Sequence, residues 1–157
     1  MEDHSGPWRS RVTERNIEYL KAVYRLGGRP GACAVRVTDL ARYLGVSAST
    51  VSIMIRRLAF KGLLHVVEGR GACLTSQGLE LLKRHLWKHA ILELVFVRAG
   101  VDPETARKLA SRLSNMISDE DARVLTEALK RPVACPHGKR IPYPEDELVE
   151  HEEYCGF

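Results

Sequence analysis

Side-chain amides and long apolar runs are the scarcest features of this chain. Asn16, Asn115 and Gln77 are its only amide side chains, and arginine outnumbers lysine 17 to 7. Depletion of thermolabile amides is a tendency of thermophile proteins. No apolar run approaches the roughly 20 residues that a bilayer-spanning helix needs. The polar start Met1-Glu2-Asp3-His4 is followed by no apolar stretch of signal-peptide type, so a cytoplasmic protein is expected. No internal repeat is present, and no nucleophile–base pair, phosphate-cradling glycine loop or pair of catalytic carboxylates stands out. We therefore expect a protein that is not an enzyme.

What is present is ordinary globular material. The 157 residues are 45% hydrophobic and 28% charged, enough for one compact domain or two small ones. The charge is uneven. Residues 1–75 hold 12 Lys/Arg and 6 Asp/Glu, a net +6, and residues 76–157 hold 12 and 14, a net −2, which together make the +4 of the whole chain. A basic front half suits an anionic partner; a merely solvated basic surface is the alternative.

The front half carries the most specific pattern. Residues 1–12 read as a flexible arm. Thr13 is placed to cap a helix reaching Leu26, with Ile17, Tyr19, Leu20, Val23 and Tyr24 on one stripe and the run Gly27-Gly28-Arg29-Pro30-Gly31 ending it. Ala34 to Val37 reads as a short strand. Thr38 is then expected to cap a short helix holding Leu40, Ala41 and Leu44. Gly45 supplies a left-handed turn, Val46 plugs the corner, and Ser47 caps a second helix whose inward residues are Val51, Met54 or Ile55, and Leu58. A small residue four before the glycine and an apolar one six after it are helix-turn-helix grammar.

The outward face of that second helix reads Ser49, Thr50, Ser52, Ile53, Arg56 and Arg57. Hydroxyls reach phosphates and base edges, and arginines bond phosphates or guanine. Together with Thr38 and Ser47 these are the expected DNA-contacting residues. Two short strands, Leu63–Val67 and Ala72–Thr75, flank Glu68-Gly69-Arg70-Gly71 and form a basic hairpin. This is the wing of a winged helix-turn-helix, with Arg70 at its tip. An ordinary helical hairpin with a solvated face is the competing reading, and a protein-interaction module that binds no DNA the competing function.

The back half reads as three helices. The first starts near Ser76 and ends before Gly100. The second starts at Asp102-Pro103 and runs to about Met116. The third is capped by Ser118-Asp119-Glu120-Asp121 and runs to about Lys130. Six acidic residues in nine from Glu145 to Glu153 make a tail expected to be mobile or lightly docked.

Several stretches together resemble the iron- and manganese-dependent repressors of the DtxR/MntR family. They are Glu18-Tyr19-Leu20, VSIMIRRLAFKGLL followed by GRGACLTSQG, Lys88-His89 with Glu93, MISDE at 116–120 and CPHGKRIP at 135–142. The likeness covers roughly residues 13–142. It implies a mainly α fold: a winged helix-turn-helix over 13–75, a helical dimerisation domain of metal-binding type over 76–142, and the tail over 143–157, without the SH3-like domain some members carry. It implies a homodimeric transcriptional repressor on a palindromic double-stranded operator, licensed by a divalent metal such as Mn, Fe, Co or Zn.

The family's ligands carry over unevenly. His89 and Glu93 match its His-x-x-x-Glu pair, and four residues apart they share a helix face. Glu18 falls where the family has Met or Asp. The remaining ligand positions fall on Arg107, Ser111, Ser114 and Asn115, none of them a normal metal ligand. We therefore expect the main regulatory site to be largely lost. A working metal-dependent repressor with rearranged ligands, or no metal at all, are the alternatives. Separately, Cys135, His137, His151 and Cys155 supply two Cys and two His, a sufficient set for tetrahedral zinc. A turn followed by a disordered tail is the bland reading of the same residues. Cys33 and Cys73, in strands expected to pair, are either a disulfide or two buried thiols.

Overall fold

The computed structural model describes residues 12–32, 34–148 and 153–157. The chain divides into two compact units, Met1–Leu82 and Lys83–Phe157.

In the first unit, α1 (Glu14–Arg25) starts where Thr13 accepts a hydrogen bond from the Asn16 N–H. Its stripe Ile17, Leu20 and Val23 is buried and faces α2 (Val37–Leu44), α3 (Ala48–Phe60) and the second strand of the hairpin β1 (Leu64–Val67) and β2 (Gly71–Leu74). Leu40, Val51, Leu58, Leu63 and Leu74 complete this core. The α2–α3 turn follows the expected grammar: Gly45 is left-handed at φ 68°, and Ser47 caps α3 by accepting from the Thr50 N–H. The two strands pair antiparallel with Leu64 opposite Leu74 and Val67 opposite Gly71.

Two local expectations are corrected here. The strand over 34–37 is reduced to one residue, Val35, which bridges Ala72. The cap of α2 is Arg36 rather than Thr38, and it makes no side-chain capping bond. The causes are linked: Val35 spends both its N–H and its C=O on Ala72, at 2.8 and 3.0 Å. The chain is then released from the sheet two residues early, so helix begins at Val37.

In the second unit, α4 (Ser76–Arg98, whose first turns belong to the first unit), α5 (Pro103–Leu113) and α6 (Asp119–Ala128) follow in order. α5 ends three residues before the expected Met116, which lies 78% exposed beyond it. α6 opens on a capping box: the Ser118 side chain accepts from the Asp121 N–H and the Asp121 carboxylate accepts from the Ser118 N–H.

The core of this unit collects Trp87, Ala90, Ile91 and Leu94 from α4 and Ala122 from α6. It also takes in Cys135, Ile141, Tyr143 and Cys155 from the C-terminal segment. That segment is the main correction, since its acidic composition predicts a mobile or lightly docked tail. Tyr154 and Cys155 are each 1% exposed, and the Cys155 N–H donates to the Arg140 carbonyl at 2.9 Å. Burial of the Tyr154 ring and the small Cys155 side chain at the far end of the tail outweighs the solvation of its acidic residues. Trp87 donates its indole N–H to Thr126 at 3.1 Å.

Candidate nucleic-acid interface and side-chain cluster

α3 turns Val51, Met54, Ile55 and Leu58 inward, and the other face follows from the helical period. Ser49, Ile53, Arg56 and Arg57 are exposed, and Thr50 and Ser52 are half-buried. Ile53, 49% exposed in the middle of that face, is an apolar surface suited to a thymine methyl. The Ser47 hydroxyl is engaged locally, 2.8 Å from the Thr50 hydroxyl as well as on the cap.

A groove of about 410 Å³ runs between α3 and the wing. Thr38, Ser52, Arg56 and Arg70 line it, together with Arg36. Four of the residues singled out from sequence thus meet on one surface, while Ser49, Thr50, Ile53 and Arg57 continue along the helix. Arg56 and Arg57 also border a second cavity with Phe60 and Lys61. Arg36 was missed because it sits outside the helix-turn-helix pattern. Its guanidinium bonds Asp39 at 3.1 Å, and Arg42 reaches the same carboxylate at 3.8 Å. Three arginines and a few hydroxyls on one open groove form a surface for a polyanion.

The second unit holds a different cluster. Glu93, on the inner face of α4, is 1% exposed. Its Oε1 lies 3.4 Å from His137 Nδ1, and its Oε2 lies 3.6 Å from His89 Nε2. The Cys155 thiol donates to Oε2 at 3.8 Å, and the Cys135 sulfur lies 3.9 Å from His137 Nδ1. Burial raises the Glu93 pKa above the usual carboxylate range; His137, the Cys155 hydrogen bond and Arg107 pull against it. Burial, and next the neighbouring Cys135, pushes the Cys155 thiol up as well.

The residues at the family's remaining ligand positions do different work. Ser114 is buried and donates to the Ser111 carbonyl at 3.3 Å. Asn115 Oδ1 lies 3.0 Å from His85 Nδ1. Arg107 is exposed, and its positive charge is the smallest of the influences on the Glu93 carboxyl. These positions thus carry a hydroxyl on a carbonyl, an amide on a histidine and a guanidinium. Glu18 lies exposed on α1 in the first unit. His151 and Cys33 lie outside the described residues, and with them the four-ligand tail site as first set out and the Cys33–Cys73 disulfide. Cys73 is a buried thiol.

A family model described as the iron dependent repressor N-terminal DNA binding domain matches residues 11–72, and one described as the iron dependent repressor metal binding and dimerisation domain matches residues 75–143. An uncharacterized HTH-type transcriptional regulator of Aeropyrum pernix is 48% identical over 134 residues, 85% of this chain and 74% of that one. The transcriptional regulator MntR of Escherichia coli is 39% identical over 85 residues, so the match spans about half of each chain, 54% and 55%. Among solved structures, a hypothetical protein from Sulfolobus solfataricus superposes with TM-score 0.74 at 26% identity, covering 84% of this chain and all of that one. The repressor ScaR with bound Zn2+ superposes with TM-score 0.69 at 31% identity, covering 87% of this chain and 63% of its own.

Proposed function

The chain belongs to the iron dependent repressor family of transcriptional regulators, and on that premise we propose that it acts as a homodimer that represses from a palindromic operator. The observation that carries this reading is the groove between α3 and the wing, where Ser52, Arg56 and Arg70 meet. α3 enters the major groove with Ser49, Thr50, Ser52 and Ile53 at base edges. Arg56 and Arg57 grip the flanking phosphates, and Arg70 at the wing tip reaches the backbone or minor groove. The second unit pairs two chains and sets the half-site spacing near one or two turns of DNA.

The regulatory cation of the family is not held as that family holds it, because Arg107, Ser111, Ser114 and Asn115 stand where its ligands would be. DNA affinity is therefore set without that site.

The test is fluorescence anisotropy on an operator selected from random duplexes, read against salt and against added Mn, Fe, Co or Zn. Arg56→Ala and Arg70→Ala should each weaken binding and flatten the log K against log [salt] line. The slope changes by about 0.9 for each phosphate no longer neutralised, hence by about 1.8 when both protomers of a dimer carry the change. Unchanged slopes in both variants would remove the groove from the interface. A large gain in affinity with Mn or Fe would restore a working family site.

A further inference from the structure

α3 has no side chain for the usual hydrogen-bonded reading of adenine or cytosine. Its 13 residues, ASTVSIMIRRLAF over Ala48–Phe60, contain no Asn, Gln, Asp or Glu, the types that pair with those bases in the major groove. At the centre of its outward face stands Ile53, 49% exposed. We propose that Ile53 reads a thymine methyl group, one in each half-site of the duplex, and that this apolar contact is the main source of the helix's sequence preference. The inference rests on the reading of α3 as the helix that enters the major groove, and names what it recognises there.

A lone exposed isoleucine is ordinary on a protein surface; its surroundings single this one out. On a helix the surface neighbours of a residue lie three and four positions away. For Ile53 they are Ser49 and Thr50 on one side and Arg56 and Arg57 on the other. Thr50 is half-buried, and its hydroxyl is engaged in the helix cap, 2.8 Å from that of Ser47. Ser52 and Arg56 line the groove shared with the wing. Arg56 and Arg57 border the cavity beside Phe60 and Lys61. The guanidinium groups thus flank the exposed crest of the helix, where phosphates wall a groove. Ile53 is the bulkiest side chain on that crest between Ser47 and the arginines.

When α3 docks, this crest loses its water against base edges. Guanine presents two acceptors there, cytosine an amino donor, and adenine an acceptor beside an amino donor. A hydrocarbon satisfies none of these, and burying them against Ile53 leaves polar groups without partners, which is costly. Thymine alone presents a methyl group of matching chemistry. The contact therefore selects by penalising the wrong bases as much as by attracting the right one. Isoleucine also holds one strongly preferred χ1 rotamer in a helix, so little side-chain freedom is lost on contact. Burial of one methyl group corresponds to about a fourfold change in affinity, or about 16-fold when both half-sites of a dimer contribute.

The experiment uses the full chain and a duplex it selects from random sequences. Each thymine is replaced in turn, in both half-sites together, by deoxyuridine, which lacks only the methyl group, and affinity is read by fluorescence anisotropy at fixed salt. At one position the parent should lose about 16-fold in affinity. In Ile53→Ala the same replacement should have no effect, while the slope of log K against log [salt] stays that of the parent, because no phosphate contact is removed. At that position 5-methylcytosine should bind the parent more tightly than cytosine does, and the two should bind Ile53→Ala equally. Ile53→Gln should move the preference there from thymine to adenine. Melting temperatures of the variants, compared with the parent, separate loss of contact from loss of fold; if the alanine variant is unfolded, the uridine effect on the parent and its reversal in Ile53→Gln decide. A uridine effect at no thymine, or one that persists undiminished in Ile53→Ala, would overturn the proposal and leave DNA binding standing. Failure of the parent to bind any duplex would overturn the reading of α3 itself, and the proposal with it.

Discussion

At Gly71 the backbone runs at φ 121°, and a Cβ built there would stand 1.9 Å from the Val35 carbonyl oxygen. The glycine at the start of β2 is therefore what lets the Val35 segment approach and exchange both bonds with Ala72. Gly71→Ala forces that bridge apart, and we expect a loss of more than about 1 kcal/mol in urea unfolding. Gly69, at the wing tip, has φ 68° but nothing within 4 Å of a Cβ. Gly69→Asn should therefore stay within about 0.5 kcal/mol, since asparagine tolerates that conformation. Nothing in the local sequence separates the two glycines. Both read as hairpin punctuation, and only the approach of a distant segment tells them apart. Glu93 teaches the same in the side-chain cluster of the second unit. Its pairing with His89 is legible as i, i+4 spacing, but its contacts with His137 and Cys155 span 44 and 62 residues.

Helix beginnings were the most legible elements. Thr13, Ser47, Asp102 and Ser118 each accept from a backbone N–H three residues on, a short-range bond that needs no tertiary help. The exception is α2, where the bridge at Val35 decides the starting point. Helix ends were less legible: α5 stops at Leu113 and α6 at Ala128, both short of expectation. After α6 the chain turns through Lys130 and Arg131 at φ 59° and 47°, a left-handed pair that does not announce itself in side chains.

The cap of α5 has a pH signature. The Asp102 carboxylate is held below its ordinary range, first by the Thr105 hydroxyl and then by its N–H, which donates at 3.0 Å. A depressed folded-state value means stability that is present above the ordinary aspartate pKa of about 4 and lost as pH falls through the lower folded value. Asp102→Asn keeps the cap but removes this titration. Acid unfolding followed by circular dichroism should then show a shallower dependence between about pH 5 and pH 2 than the parent.

At the scale of the second unit, the C-terminal segment behaves as part of the core. The Tyr143 hydroxyl donates to the Pro132 carbonyl at 2.6 Å, and the Arg131 guanidinium lies 4.4 Å over the Tyr143 ring while pairing with Glu145. Burial pushes the Tyr143 pKa up, as expected of a ring held in place rather than a solvated tail. Deleting residues 153–157 removes the buried side chains of Tyr154 and Cys155. By comparison with large-to-small core changes, a loss of about 3–5 kcal/mol is expected. In a Trp8→Phe background, the fluorescence of Trp87 should shift to the red at a lower temperature in the shortened chain. An unshifted transition would mean that the segment contributes nothing to that core.

No helix among the described residues is long and apolar enough to cross a membrane.

The winged helix-turn-helix, its outward-facing residues and most helix starts were legible from the amino-acid order. They follow from periodicity, capping and glycine chemistry acting over fewer than ten residues, where the chain has few alternatives. Folding in three dimensions settled the rest: Thr38 is not a cap, the acidic tail buries its end, and Cys135, His137 and Cys155 meet a carboxylate from α4. Those outcomes come from apolar burial and backbone pairing between segments tens of residues apart. Residue types had grouped Cys135, His137 and Cys155, but neither composition nor spacing brings Glu93 to them or buries the tail, because the free energy gained exists only once both partners are in place.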